Sequence, residues 1–265
     1  MKISKTYAAA LAGLSLLAFP AGSALAADLG YRPVYVADAV APSFWSGPYV
    51  GAFAGYAWGR GNATAPYDPV TGFFYNFGGA PYKVDSNGFF GGATLGHNWQ
   101  YGPVVLGAEG EIGYLGISGS ALDPNGVAAG FPDTTTKVRS DFYAALYGRL
   151  GFAAGPALIY AKGGAAFTNL RTTTIDPCIA PPAGCGTETL NMSGGGFTTG
   201  WSVGAGAEWA FAPQWSAKVE YAYFDFGRTD VSGTSSAGDR YRQRVDHTAH
   251  TMKVGVNYRF GAGLW

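Results

Sequence analysis

A stretch of the chain reading GWSVGAGAEWAF, at residues 200–211, alternates between two kinds of side chain. One set is apolar and comprises Trp201, Val203, Ala205, Ala207, Trp209 and Phe211. The intervening set is small or charged and comprises Gly200, Ser202, Gly204, Gly206 and Glu208. Because successive side chains of a β-strand point to opposite faces, this pattern predicts an amphipathic strand. Periodicity alone does not say which of its faces points outward.

The same alternation recurs along the chain and predicts eight strands. Their predicted ranges are 48–58, 87–100, 104–117, 137–153, 157–169, 197–211, 215–227 and 244–260. In the fourth strand the polar face carries Lys137, Arg139, Asp141, Tyr143, Tyr147 and Arg149, opposite Val138, Ser140, Phe142 and Leu146. Alternation is clearest in this strand, and the third, seventh and eighth strands show it too.

The connections between these strands alternate between short and long. Short proline-containing turns lie at 101–103, 155–156 and 212–214, and long segments lie at about 59–86, 118–136, 170–196 and 228–243. Short periplasmic turns and long extracellular loops are typical of outer-membrane barrels. The pattern predicts an all-β fold, an eight-stranded antiparallel up-and-down transmembrane β-barrel.

Aromatic side chains indicate which face meets lipid. Those near predicted strand ends, which would form the interfacial girdles of such a barrel, are Trp58, Trp99, Trp201, Trp209, Trp215, Tyr258 and Phe260. A soluble lipocalin-like barrel has the same period with the opposite sense, apolar inside and charged outside, and is the alternative.

With lipid outside, the polar faces line the lumen. Their charged members are Glu109, Glu111, Lys137, Arg139, Asp141, Arg149, Lys162, Glu208, Lys218, Glu220, Lys253 and Arg259. Five acids against seven bases can pair across the interior and fill it. Glu208 is then predicted to accept charge-assisted hydrogen bonds from a lumenal Arg or Lys.

The N-terminus has the composition of an export signal. Lys2 and Lys5 precede an apolar run from Ala8 to Phe19, and Ala24-Leu25-Ala26 fits the small-x-small cleavage rule. The apolar run is shorter than the roughly 20 residues of a membrane helix, which disfavours an anchor. We therefore predict a cleaved signal peptide over 1–26, a flexible periplasmic lead-in over 27–46, the barrel over 47–260 and a short C-terminal extension over 261–265.

Charge and cysteine content narrow the choice of partners and cofactors. Without Lys2 and Lys5 the chain has 15 basic and 17 acidic side chains, a formal net charge of −2, which makes nucleic acid an unfavourable partner. Cys178 and Cys185 most simply form a local disulfide in an exported protein, and two cysteines with no nearby histidine do not make a metal site. No cofactor is expected.

Several segments in order carry a resemblance to a known family. They are SFWSGPYVGAFAGYAWG, GFFGGATLGHNWQYGPVVLGAEGEI, LYGRLGFAAGPALIYAKGGAAF, GWSVGAGAEWAFAPQWSAKVEYAYFDFG and HTMKVGVNYRF. Together, over about residues 44–260, they resemble the small outer-membrane β-barrel surface proteins of alphaproteobacteria, the porin-like outer-membrane antigen family. The resemblance implies an eight-stranded barrel similar to the OmpA-type membrane domain.

The resemblance also implies an assembly signal. In such proteins the last strand ends in alternating aromatics with a terminal phenylalanine, read by the barrel-assembly machinery, and Tyr258 and Phe260 correspond to it. This chain departs from that pattern by continuing through residues 261–265. Either the signal is read internally at Phe260, which the unbroken alternation favours, or Trp265 serves as the terminal aromatic.

Three functions are compatible with these observations. The leading one is a non-enzymatic outer-membrane protein for envelope integrity and cell-surface interaction, in contact with outer-membrane lipid and lipopolysaccharide and with host or surface ligands through its long loops. The second is a small porin or ion channel. The third, an enzyme, lacks support because nothing in the spacing of His97, His247 and His250 identifies a catalytic triad.

Overall fold

The strands of this chain close into a ring. The computed structural model describes residues 44–72, 74–75, 79–130, 132–178 and 188–260. The elements are β1 (Gly47–Ala63), β2 (Tyr82–Tyr101), β3 (Val104–Leu122), α1 (Pro124–Ala129), β4 (Thr135–Ala154), β5 (Ala157–Asp176), β6 (Leu190–Ala210), β7 (Trp215–Ser235) and β8 (Arg240–Arg259). Each strand pairs antiparallel with its neighbour in the chain, and β8 pairs with β1. The predicted eight-stranded barrel is confirmed.

Parts of the predicted organisation cannot be compared with the structure. The signal peptide, the lead-in up to residue 43 and the extension over 261–265 lie outside the described residues. Among the residues that are described, no helix is both long and apolar enough to cross a membrane.

Every strand continues beyond its predicted end on the side of the long loops. β2, for example, begins at Tyr82 rather than near 87, and the last long loop shrinks to residues 236–239. The added strand segments carry polar side chains outward, as Lys83 and Asp85 do in β2. Their composition therefore resembles that of a loop, although their backbone groups continue the ladder.

The strand register fixes the tilt of the barrel. Starting at Val50 and stepping to the paired residue on each next strand, the ladder returns to β1 at Arg60, ten residues further along. Such a stagger tilts the strands by about 35–45° from the barrel axis. A closed ring of eight strands leaves an interior just wide enough to be filled by side chains.

A register shift interrupts the alternation of β4. Ser140 pairs with Leu170 and Tyr143 with Thr168, so three steps along β4 correspond to two along β5. An extra residue of this kind is a β-bulge, and it changes which positions face inward. Ser140 and Tyr143 both point into the barrel as a result.

This bulge overturns the prediction for three charged residues. Lys137, Arg139 and Asp141 were predicted to lie in the lumen with Tyr143 and Arg149, but the inward positions before the bulge are even-numbered. Lys137 and Arg139 point outward, and Asp141 forms a 3.0 Å ion pair with Arg139 on the outer surface. Val138 takes the inward place.

The interior is divided into layers along the barrel axis. At the end of the tight turns lies an apolar cluster that includes Trp45, Leu158 and Tyr160. At the loop end lies a second one, around Val84 and Met192. A cluster of aromatic and small side chains occupies the middle, comprising Phe53, Ala57, Phe90, Leu115, Ile117, Tyr143, Ala145, Tyr147, Ala166, Ala222, Phe224, Phe226 and Ala249. Between this middle cluster and the turn end lies a layer of charged side chains.

Candidate functional site

The charged layer is built by inward positions of six different strands. The structure places nine of the twelve predicted lumenal charges inside the barrel, none more than 4 % exposed, and these are Glu109, Glu111, Arg149, Lys162, Glu208, Lys218, Glu220, Lys253 and Arg259. They come together because alternate residues keep pointing inward along the whole of β3, β5, β6 and β8, on β4 after the bulge, and on β7 before a register shift at Gly227. Buried charges of this kind need partners, since desolvation of an isolated charge is costly.

Lys162 lies at the centre of this layer. Its Nζ is 2.8 Å from Glu109 Oε1 and 2.8 Å from Glu111 Oε1. It is also 3.0 Å from Glu220 Oε1. One ammonium group therefore contacts three carboxylates, each on a different partner side chain.

Two further lysines complete the pairing. Lys253 contacts Glu111 and lies 2.9 Å from Glu220 Oε2. Lys218 lies 3.5 Å from oxygens of both Glu109 and Glu220. Three carboxylates within 4.8 Å of one another can in principle hold a metal ion, but here three ammonium groups balance them.

Glu208, on β6, lies at the edge of the same layer. Arg149 Nη2 donates to Glu208 Oε2 at 3.0 Å, and Arg149 Nη1 donates to Glu109 Oε2 at 3.1 Å. Ser216 and Asn257 donate to the other oxygen of Glu208. The glutamate points into the lumen, and its neighbours Trp209 and Ala207 point outward.

Tyrosine hydroxyl groups satisfy carboxylate oxygens in ways that the charge pattern did not reveal. Tyr49 donates to Glu109 at 2.8 Å, Tyr143 to Glu111 at 2.6 Å and Tyr160 to Glu220 at 2.7 Å. The guanidinium of Arg149 also lies 3.9 Å from the ring centroid of Tyr160. The alternation of side chains along the strands could have identified these tyrosines, because each of them occupies an inward position of its strand.

The turn end of the barrel is closed by residues that precede β1. Trp45 is fully buried, and its Nε1 donates to the carbonyl of Gly155 at 3.2 Å. The guanidinium of Arg259 lies 4.5 Å from the Trp45 ring and donates to the carbonyl of Phe44 at 3.0 Å. The predicted flexible lead-in over 27–46 is therefore wrong for its last residues, 44–46, which pack inside.

The loop end is closed by hydrogen-bonded polar side chains beside an apolar layer. Gln243 donates to the Tyr82 hydroxyl at 2.8 Å and accepts from Thr174 at 2.6 Å, beside the apolar layer around Met192. Below it, the void beside His247 has a volume of about 20 Å³, room for about one water molecule. Side chains thus fill the described part of the lumen at both ends and in its middle.

The histidines do not converge on one another. His247 faces the lumen, whereas His250 lies outside, where its Nδ1 is 2.6 Å from the Tyr221 hydroxyl. His97 packs against Trp99 with tilted rings, close to the turn end. Within the described residues these side chains build no catalytic triad.

The outer surface carries the apolar face of every strand. Leu95, Leu146 and Ile159 are each more than 60 % exposed, which is the opposite of a soluble barrel. Aromatic side chains form two bands around it. The band near the turns contains Trp99, Trp209, Trp215, Tyr258 and Phe260, and the other contains Trp58, Trp201, Tyr223 and His250.

The second band differs from the prediction in its position along the strands. Trp58 and Trp201 were predicted to lie near strand ends. In the structure β1 continues past Trp58 to Ala63, and Trp201 lies in the middle of β6. On β8 the two bands are marked by Tyr258 and His250, whose spacing at a rise of about 3.4 Å per residue and a tilt of about 40° is about 20 Å along the axis. That separation suits an apolar band of roughly 25 Å.

The loop cysteines and the C-terminal aromatics were also predicted to have roles. Cys178 is disulfide-bonded, and Cys185 lies outside the described residues. Tyr258 and Phe260 pack with ring centroids 5.1 Å apart at the end of β8, where the amide of Phe260 donates to Pro48.

Truncation of the chain after Phe260 tests whether the assembly signal is read at this residue. A chain ending at Phe260 should still assemble, because the described residues of β8 already pair with β1 and β7 along the strand up to Arg259 and Tyr258. Outer-membrane fractionation and heat-modifiable gel mobility of this truncation, beside the full chain, would check it. Loss of insertion would show that the terminal aromatic signal is Trp265.

Comparisons with known proteins agree with this architecture. A sequence model of the outer membrane protein beta-barrel domain matches residues 8–260. The chain is 30% identical over 257 residues to the 31 kDa outer-membrane immunogenic protein of Brucella melitensis biotype 1, covering 93% of this chain and 97% of that one. It is 26% identical over 249 residues to the 25 kDa outer-membrane immunogenic protein of Brucella abortus biovar 1, covering 93% and 94%.

Among solved structures, the outer membrane protein OprG from Pseudomonas aeruginosa matches with a TM-score of 0.48 and 12% identity, covering 81% of this chain and 97% of that one. The full-length match to the family and to its Brucella relatives agrees with the closed ring of strands and its outward apolar band. The chain belongs to the outer membrane protein beta-barrel family.

Proposed function

We propose that the protein is a non-conducting, non-enzymatic surface protein of the outer membrane, which supports envelope integrity and presents its loop end for cell-surface interaction. The observation that carries the proposal is the filled lumen, in which four glutamates and four basic side chains pair across the barrel between two apolar layers. Aqueous porins have about sixteen strands or more, whereas eight strands leave no channel.

Other observations support the surface role. The relatives from Brucella are described as immunogenic outer-membrane proteins, which fits presentation of the loop end outside the cell. The partners proposed on this basis are outer-membrane lipid and lipopolysaccharide, the barrel-assembly machinery and host or surface ligands at the loops.

Planar-bilayer conductance tests the proposal. The purified folded monomer should give no stable single-channel steps, because the ion-paired layer blocks the path of ions. A sixteen-stranded porin reconstituted in the same way would show that the bilayer detects an open barrel. Reproducible steps from the monomer would contradict the proposal and favour a small ion-conducting channel.

A further inference from the structure

The outer face of β4 and β5 carries a cluster of positive charge just beyond the second aromatic band. Its members are Lys137, Arg139 and Arg171, here named the β4–β5 basic patch, and all three are exposed. Arg139 and Arg171 are direct cross-strand partners, and Lys137 is two residues away on the same face. Like charges placed opposite each other destabilise a sheet, so this arrangement needs a compensating partner.

Little in the protein neutralises the patch. Asp141 pairs with Arg139 at 3.0 Å, and within the described residues Lys137 and Arg171 form no ion pair. The paired residues on the flanking strands are uncharged: Ser118 and Ser120 on β3, and Gly195 on β6. The loop segment 179–187 contains no charged residue in its sequence. The patch keeps a net charge of about +2.

Three other basic residues of the outer surface have acidic partners. Arg60 lies 3.2 Å from Asp85, and Arg228 lies 3.0 Å from Asp246. Arg244 approaches Asp230 at 3.6 Å. Lys83, Arg240 and Arg242 also form no ion pair among the described residues, but on the outer surface of the described strands only Arg139 and Arg171 are direct cross-strand partners of like charge.

The position of the β4–β5 basic patch along the barrel axis indicates which part of the membrane it would contact. Phe167 lies four residues below Arg171 on the same face of β5 and stacks on Phe197 at 5.8 Å. Four residues of a tilted strand correspond to about 10 Å along the axis. The patch therefore stands where lipid headgroups begin, directly above an apolar surface that would contact acyl chains.

We propose that the β4–β5 basic patch binds a phosphate group of a lipopolysaccharide molecule in the outer leaflet. Guanidinium groups bind phosphate oxygens through paired, charge-assisted hydrogen bonds, and clusters of Lys and Arg beside a membrane span bind anionic headgroups. The bound phosphate relieves the repulsion between Arg139 and Arg171. The inference rests on the lipopolysaccharide partner of the proposed function and assigns that partner a site, which holds for a closed or an open lumen.

Native mass spectrometry of the full-length mature protein in detergent, titrated with bisphosphorylated lipid A, tests this site. Replacing all three residues (K137Q, R139Q and R171Q) should weaken binding about tenfold, because the lost contacts are charge-assisted. The matched control removes the same number of charges from ion-paired positions (R60Q, R228Q and R244Q), and its affinity should fall less than about threefold because long-range attraction alone is reduced.

Two additional arms identify the ligand. Lipid A without its phosphates should bind wild type about as weakly as the patch variant binds the phosphorylated form. Inorganic phosphate at millimolar concentration should not displace bound lipid A, whereas complete displacement would indicate a site for free phosphate and overturn the proposal.

The remaining outcomes are equally decisive. Equal losses in the patch and control variants, or unchanged affinity in the patch variant, would overturn the site. Heat-modifiable gel mobility establishes whether each variant is folded. If the triple variant is not folded, the single variant Arg171→Gln takes its place in the lipid A titration. Bilayer conductance reports on the proposed function independently of lipid A binding.

Discussion

Lys162→Met should destabilise the folded barrel by about 3–5 kcal/mol, the range expected when one partner of a buried ion pair is removed. The methionine fills a similar volume, but it leaves Glu109, Glu111 and Glu220 with fewer positive charges than carboxylates. Urea titration of the protein in lipid vesicles, followed by gel mobility of the unboiled sample, measures the change as a shift of the unfolding midpoint.

Two variants separate the charge imbalance from a loss of packing. Arg60→Met breaks an exposed ion pair with Asp85 and should cost less than about 1 kcal/mol. Lys162→Met combined with Glu220→Gln should recover part of the loss, because one uncompensated carboxylate is removed. An unchanged midpoint for Lys162→Met would mean that water reaches the charged layer, and the closed lumen would then be untenable.

Gly164→Ala should destabilise the folded barrel by about 1–3 kcal/mol, as overpacking does in a close-packed site. A methyl group at this position of β5 would lie 1.8 Å from the carbonyl oxygen of Leu146 on β4, so the paired backbones must move apart. The same vesicle titration would measure it.

Gly148→Ala is the matched control for that change. It lies on the neighbouring strand, and the nearest atom to an added methyl group is the carbonyl oxygen of Gly163 at 4.0 Å. Its unfolding midpoint should stay within about 0.5 kcal/mol of wild type, the usual range for surface substitutions. If both glycine variants behave alike, close approach of β4 and β5 is not what requires glycine at position 164.

The sequence was sufficient for the strand order and for most of the lumen, because a period of two assigns every side chain of an uninterrupted strand to one face. Glu208 and Lys253 were placed correctly on this basis alone. Lys137 and Arg139 were not, because the bulge before Tyr143 depends on pairing with both neighbouring strands and has no local signature such as glycine or proline.

Two other features depended on information that alternation does not contain. The polar strand extensions, such as that of β2 from Tyr82, resemble loops in composition, and only the ladder across neighbouring strands shows that they are ordered. The hydrogen bonds of Tyr49 and Tyr160 depend on which inward positions of distant strands reach the same height, which follows from the stagger of the ring.

The strand extensions beyond the second aromatic band change what another molecule meets at the loop end of the barrel. The region next to the membrane is a wall of paired strands, so neighbouring groups there come from distant parts of the chain, as Thr64 and Arg244 do. An antibody directed to this wall recognises a discontinuous epitope that exists only while the ring is closed. A peptide copied from a single loop would reproduce none of it, and boiling the protein would erase it.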